Sequence, residues 1–195
     1  MNLKFVNETL AAAVVALTSK ITNYDRTWPD MFVAERDRIA GVFGNDLIII
    51  HHVGSTVVPN LAAKPEIDLL VVVVRYLSLP EADPIVRSYD YLQGEQLSLG
   101  HRYYRRDVGG VRTHKMHICL TGHWQISRML RFRDLLRKDP DLREQYQCLK
   151  LELEAKTRQE PVSILPAKYH SLTLLSDPNL DHQMTLRTSD PSRSS

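Results

Sequence analysis

Two mainly apolar runs, residues 47–53 and 67–74, dominate the hydrophobic pattern of the chain. Their only polar residues are a histidine pair at 51–52 and Asp68. Both runs are short and rich in β-branched side chains, which favours strands over helices. A strand with one face in solvent alternates apolar and polar residues, and neither run does so. We therefore predict two central strands with both faces covered.

The remaining pattern predicts helices and further strands around this pair. We predict strands at 101–106 and 112–120, joined by a turn at Gly109-Gly110, and a loop or short strand at 91–100. Helical segments are predicted at residues 8–20, 30–43, 80–89, 122–138, 141–157 and 165–175. Together these elements predict an α/β fold, a mixed sheet flanked by helices with a helical C-terminal part.

The length of 195 residues suits one domain, which we place at residues 1–175. Residues 176–195 are rich in Ser, Asp, Pro and Arg and lack an apolar period, so we predict a disordered tail. Deleting a tail of this kind is expected to leave the melting temperature nearly unchanged.

Composition narrows the class of protein. The net charge of +2 is too close to neutral to indicate a nucleic-acid partner, and the Arg-rich stretches around residues 102–106 and 128–138 are interpreted as ion-paired surface. Two cysteines imply no disulfide framework and favour the cytoplasm. The apolar run at 9–17 is short and is interpreted as a helix rather than a secretory signal. No apolar segment has the length needed to span a membrane.

Residues 52–68 carry the strongest chemical signal. Gly54, Ser55 and Thr56 predict a tight turn whose amides and hydroxyls can donate to phosphate oxygens. Glu66 and Asp68 stand at the start of the second strand, where side chains two residues apart point to the same side. Oxygen ligands of this kind suit Mg²⁺ or Mn²⁺ bridging to a nucleotide.

Each part of this signal has a plainer interpretation. A Gly-Ser-Thr turn is usually only a turn, and a Glu-x-Asp pair is often a solvated strand end. The order of turn, spacer, acidic pair and apolar strand is the stronger observation, because nucleotidyltransferases use it.

This order resembles the signature of the nucleotidyltransferase superfamily, the polymerase beta-like fold, and within it the GrpB family. The segments that carry the resemblance are YDRTWPDMF at 24–32, HVGSTVVP at 52–59, AKPEID at 63–68, RTHKMH at 112–117, LRFRDLLR at 130–137, residues 146–150, and the Lys-Tyr pair at 168–169. The resemblance covers residues 22–175. It implies a nucleotidyltransferase-like fold with a nucleotide site.

The chain departs from the family pattern at three positions. Asn60 replaces a glycine and still tolerates the left-handed region. Glu66 occupies a position that is often apolar in the family, and completes a pair of carboxylates. Lys115 stands where the family has a histidine on the face that also carries His117.

Lys115 changes the chemistry expected of its strand. His114 and His117 are three residues apart and would lie on opposite faces, so a zinc site is not expected. Lys115 and His117 share a face and could hold a triphosphate or assist transfer. The plainer alternative makes His117 a hydrogen-bonded core residue and Lys115 a solvated neighbour. Lys64 could also reach a phosphate from its loop.

Two functions remain open from the sequence. The first is a Mg²⁺-dependent nucleotidyltransferase that moves an NMP group from an NTP, for example ATP, to a small-molecule or protein acceptor. Its catalytic residues would be Glu66, Asp68 and His117, with both carboxylates on the metal. Its phosphate-binding residues would be Gly54, Ser55, Thr56, Lys64 and Lys115. The second is a nucleotide-binding sensor or interaction module of the same fold, which is favoured by the lack of a third carboxylate between residues 112 and 120.

Overall fold

A computed structural model of the protein describes residues 19–75, 86–94 and 98–159, and the side chains of these residues up to 156. Its elements in chain order are helix α1 (Trp28–Ile39), two 3-10 turns (Ala40–Val42 and Gly44–Asp46), strands β1 (Leu47–Val53), β2 (Ile67–Val73), β3 (Tyr91–Gln93), β4 (His101–Val108) and β5 (Val111–Leu120), and helices α2 (Trp124–Lys138) and α3 (Pro140–Gln159). The predicted α/β class is confirmed.

The five strands form one mixed sheet in the order β1-β2-β5-β4-β3. The central pair, β2 and β5, is parallel, and the other three neighbouring pairs are antiparallel. Asp68 lies beside Val53 of β1 on one side and Lys115 of β5 on the other. The end of the first predicted strand and the start of the second therefore meet at the same end of the sheet.

Strand β2 is buried on both faces, as its unbroken apolar run predicts. On one face, Leu69 and Val71 belong to the main core together with Trp28 and Ile39 of α1. On the other face, Leu70 and Val72 form a second cluster, against which three residues of α2 pack: Ile126, Met129 and Leu130. The two helices thus cover opposite faces of the sheet.

Strand β1 is only partly buried, which corrects the prediction that both its faces are covered. Ile48 and Ile49 are 49% and 44% exposed, whereas Val53 at the other end is buried in the α2 cluster. The reason is that β1 is an edge strand of the sheet, and α2 covers only the end that leads into the turn.

Several predictions lie wholly or mainly outside the described residues: the helices at 8–20, 80–89 and 165–175, the tail from 176, and the domain limit at 175. The predicted helix at 30–43 is an α-helix to Ile39 followed by a 3-10 turn. The first compact unit of the chain extends to Leu149, and Lys150 begins a second. In the described part of the chain, no helix is both long and apolar enough to cross a membrane.

Candidate functional site

The turn after β1 is built around Gly54. Its φ of +78° lies in the left-handed region, which glycine enters without a steric cost. A Cβ atom added at Gly54 would collide with the carboxylate of Asp68 and lie 2.8 Å from its Cγ. The backbone of the turn therefore packs directly against Asp68. Asn60, later in the same loop, also has a positive φ of +64°, as its tolerance of this region predicts.

Glu66 is almost completely buried, with an exposure of 5%, and both of its carboxylate oxygens have partners. Oε1 accepts a hydrogen bond of 2.6 Å from the Ser19 hydroxyl, and Oε2 lies 2.5 Å from Nζ of Lys115. Burial raises the pKa of Glu66, but the charge and hydrogen bond of Lys115 outweigh burial and lower it. The carboxylate is therefore ionised at neutral pH.

Lys115 is the cation shared by the two acidic residues. Burial works to lower its pKa, but the negative charges of Asp68 and Glu66 raise the pKa above its ordinary value. The side chain is 29% exposed, and its backbone lies beside Asp68 in the parallel β2–β5 pair. The three charges form one cluster that begins in the interior and ends at the surface.

A divalent metal at this cluster would have to share Glu66 with the partners that the residue already has. Mg²⁺ binds carboxylate oxygens, and each oxygen of Glu66 already has one partner, Ser19 or Lys115. An ammonium beside both carboxylates also repels a second cation. Within residues 19–75, 86–94 and 98–159, no group of three or more His, Cys, Asp or Glu side chains is placed to hold a metal.

Ser55 and Thr56 follow Gly54 but occupy different environments. Ser55 shares a hydrogen bond with the hydroxyl of Tyr146, a buried residue of α3. Thr56 is 1% exposed, and its hydroxyl donates to the Glu66 carbonyl oxygen at 3.2 Å while Nε2 of His52 lies 3.1 Å away. The Thr56 hydroxyl thus joins the turn to β2 and has both of these partners inside the protein.

His117 lies on the same face as Lys115, two residues further along β5. Its Nδ1 is 2.9 Å from Nε2 of His101, and its ring packs 5.2 Å from that of Tyr103. Burial, and then the nearby His101 and Lys115, lower the pKa of His117 to about 3. It is therefore neutral at physiological pH, in a half-buried position.

His114 is buried in the opposite core. Its strand partner Ile67 belongs to the α1 side, whereas Leu70, the partner of His117, belongs to the α2 side. The prediction that the two histidines face apart is confirmed, and they form no zinc pair.

A sequence model of the family described as GrpB protein matches residues 18–171. The chain belongs to the GrpB family. It is similar to the UPF0157 protein YqkA of Bacillus subtilis (strain 168), 39% identical over 146 residues, which are 74% of this chain and 41% of YqkA. It is also similar to the UPF0157 protein BH1888 of Halalkalibacterium halodurans, 34% identical over 142 residues, which are 68% of each chain.

The fold of the family is confirmed by a solved structure. The crystal structure of the conserved protein GrpB from Enterococcus faecalis is similar with a TM-score of 0.73 and 31% identity, covering 85% of this chain and 99% of that chain. Both the GrpB resemblance and the predicted fold class are therefore confirmed.

Four members of the site in this GrpB-family chain lie outside the sequence prediction. Ser19 holds Glu66, and Tyr146 holds Ser55. Tyr103 interacts electrostatically with the cluster, and Arg112 interacts in turn with Tyr103. Arg112 and Tyr146 stand within segments that carry the family resemblance, which is the signal that could have identified them. Ser19 and Tyr103 have no such signal.

Proposed function

We propose that this GrpB-family chain binds a nucleoside triphosphate where the turn after β1 meets the start of β2. The observation that carries the proposal is the packing of the Gly54 turn on Asp68, next to the ammonium of Lys115. A glycine turn lets a phosphate approach backbone amides closely, and the adjacent cation supplies the opposite charge. The family resemblance to nucleotidyltransferases supports the same ligand class.

Cationic side chains near the turn could receive an anionic ligand. Lys64 and Lys115 balance the negative charges of Glu66 and Asp68, and Arg112, which acts on the nearby Tyr103, is paired with Asp107 at 3.3 Å. One terminal nitrogen of Arg112 is buried and makes no hydrogen bond within the described part of the chain. A phosphate group could accept from such donors without stripping them of existing partners.

Ser55 provides the hydroxyl of the proposed phosphate site. Its hydrogen bond to Tyr146 orients the side chain and keeps it beside Gly54. A hydroxyl has one donor and two acceptor positions, so Ser55 can use its donor for a phosphate and accept from Tyr146. Lys64 lies at the other end of the loop, close to Glu66.

A second candidate function is the transfer of an NMP group from a Mg²⁺-bound NTP to a small-molecule or protein acceptor. It is favoured by the two-residue spacing of Glu66 and Asp68 on one side of β2, which suits a shared metal. In this case Lys115 would have to leave Glu66, and His117 would contact the acceptor. The metal, when bound, would neutralise the charge that develops on the phosphates.

Binding is tested by calorimetric titration of the purified chain with each of the four common NTPs. Ser55→Ala should weaken binding, whereas Ser127→Ala, which removes a hydroxyl from the exposed surface of α2, should not. Equal affinity of wild type and Ser55→Ala would contradict the proposed position of the phosphates. Absence of binding for all four NTPs would refute the function.

Release of pyrophosphate separates the two candidates. The assay uses each NTP with Mg²⁺ and a mixed pool of acceptors. A nucleotide-binding protein should bind without release, and pyrophosphate formation that is lost in Asp68→Asn would favour the transferase.

A further inference from the structure

We propose that the ammonium of Lys115 is the resident cation of this site and takes the place of a divalent metal between Glu66 and Asp68. If this is so, an NTP binds without Mg²⁺, and this consequence rests on the proposed nucleotide binding. The position of the cation can be tested without any nucleotide.

The first step concerns Glu66, both oxygens of which already have a partner inside the protein. They are held by Ser19 at 2.6 Å and by Lys115 at 2.5 Å, and the residue is 5% exposed. A metal would have to bind this buried carboxylate next to the Lys115 ammonium, where the repulsion between two cations is strong.

The second step concerns the position of Lys115. In the parallel pair of β2 and β5, Lys115 lies directly beside Asp68, and its side chain reaches back to Glu66. Both carboxylates act on its charge. The ammonium thus interacts with the same two residues that the spacing in the sequence assigns to a metal.

The third step concerns what the ammonium can do for a ligand. A lysine ammonium carries three donors, and the bond to Glu66 uses one of them. A second can serve Asp68, and the third can point to a phosphate oxygen. The side chain is still 29% exposed, so solvent and ligands can reach it.

The fourth step concerns the neighbouring cation. Lys64 also acts on Glu66 and is part of the loop that leads into β2. With two lysines near one buried carboxylate, the positive charge that Mg²⁺ would bring is already present. A further divalent ion would meet repulsion rather than an unneutralised acidic pair.

The direct test is a Mn²⁺ titration followed by electron paramagnetic resonance of the free ion, with no nucleotide present. Wild type should bind no Mn²⁺ at this site. Lys115→Met removes the charge and keeps most of the side-chain length, and should gain a Mn²⁺ site at least about tenfold tighter than any residual Mn²⁺ binding by wild type. Lys138→Met, a change on the exposed end of α2, is the matched control and should behave as wild type. Asp68→Asn combined with Lys115→Met should lose the gained site.

The second arm measures NTP binding to wild type in EDTA and in Mg²⁺. The dissociation constant should agree within about a factor of two between the two conditions. In Lys115→Met, binding in EDTA should be lost, and Mg²⁺ should restore it. A thermal melt of each variant establishes that it is folded.

The outcomes separate the inference from the proposed function. Stoichiometric Mn²⁺ binding by wild type that Asp68→Asn removes would overturn the inference, and so would NTP binding by wild type that EDTA abolishes. If no NTP binds under either condition, the proposed function fails, and the Mn²⁺ arm still decides the role of Lys115. The EDTA comparison uses wild type alone, and the Mn²⁺ measurement on wild type needs only Asp68→Asn beside it, so both decide even if Lys115→Met does not fold.

Discussion

Two buried glutamates lie on opposite sides of the same sheet and serve different purposes. Glu35 of α1 is 4% exposed and Glu66 is 5% exposed, and each is held ionised by cations. Two neighbouring residues of β5 face the two glutamates. His114 lies on the side of Glu35, and Lys115 lies on the side of Glu66.

The Glu35 cluster is saturated by donors from three elements. Arg38 donates two hydrogen bonds of 2.9 and 2.7 Å, the Tyr91 hydroxyl donates one of 2.8 Å, and Arg106 lies 3.5 Å away. Burial raises the pKa of Glu35, and the hydrogen bonds of Arg38 and Tyr91 together with the nearby His114 lower it below its ordinary value. The cluster joins α1 to β3 and β4, and each oxygen of the Glu35 carboxylate has two donors.

The Glu66 cluster differs because a second carboxylate and a glycine turn border it. Asp68 is half-buried, the Gly54 backbone packs on it, and Lys115 keeps part of its surface in solvent. A buried, paired glutamate therefore does not by itself indicate a ligand-binding site. What distinguishes the Glu66 side is the accessible cation next to backbone that can approach a ligand.

The largest effect is expected from Glu35→Ala. Removing Glu35 takes the carboxylate out of a buried ionic cluster and leaves Arg38 with the Tyr89 carbonyl and Arg106 with Asp90. Breaking a buried ion pair in this way typically costs about 3 kcal/mol or more in the free energy of unfolding. Urea denaturation measures this loss. Asp37→Ala is the control, because its pair with Arg36 is exposed and should contribute at most about 1 kcal/mol.

Nucleotide binding should respond differently to that substitution. If Glu35 only joins elements, folded Glu35→Ala protein should bind NTP as wild type does. Loss of NTP affinity at temperatures where the variant is folded would show that the Glu35 and Glu66 faces of the sheet are coupled. The two clusters would then not serve separate purposes.

The next effect in size is expected from Gly54→Ala, which adds two costs. An alanine at φ +78° costs about 1–2 kcal/mol, and its Cβ collides with the Asp68 carboxylate. Gly122→Ala is the matched control, because Gly122 has a φ of +79° and nothing within 4 Å of an added Cβ. Gly54→Ala should therefore be less stable than Gly122→Ala in the same denaturation experiment and should also lose NTP binding. Equal behaviour of the two variants would remove the special role of the turn.

The pH dependence of stability tests the burial of His114 on the Glu35 side. Burial lowers the pKa of His114 to about 4, although Glu35 acts in the opposite direction. The unfolded state, with a pKa near the ordinary 6.5, binds more protons between pH 6.5 and 4, so His114 makes stability fall as the pH falls through this window. His114→Gln should reduce the slope of unfolding free energy against pH by up to about 1.4 kcal/mol per unit there. Above pH 7 the slopes of the two proteins should coincide, and equal slopes below pH 6 would contradict the assignment.

The sequence predicted the elements better than the contacts between them. The β2 run and the positions of Gly54, Glu66 and Asp68 are local features, and hydrophobic pattern and spacing predict such features. Ser19 is 47 residues from Glu66, and no local pattern announces that contact. Pairing of this kind depends on how distant segments of the chain pack together in three dimensions.

The role of Lys115 shows the same limit. Its face on β5 was predicted from period-two alternation, but its partner could not be, because the neighbour of β5 in the sheet is set by a crossover connection. The exposed Ile48 and Ile49 have the same origin, since an apolar run does not say whether its strand lies at an edge. Sequence therefore identified Lys115 as a residue of the site and missed its ion pair with Glu66.

The smallest effect is expected from Tyr146→Phe, which tests the support behind the turn. The substitution keeps the ring that packs 5.3 Å from Phe132 and removes the hydroxyl that is bonded to Ser55, so it should cost about 1 kcal/mol of stability. Because Ser55 then loses the group that orients it, NTP binding should weaken beyond what this loss of stability accounts for. Tyr89→Phe is the control, since the ring of Tyr89 stacks under Arg38 on the Glu35 side and a phenylalanine retains that contact. Calorimetric titration of both variants measures the difference, and if Tyr146→Phe binds NTP as tightly as Tyr89→Phe, the hydroxyl of Tyr146 belongs to packing alone.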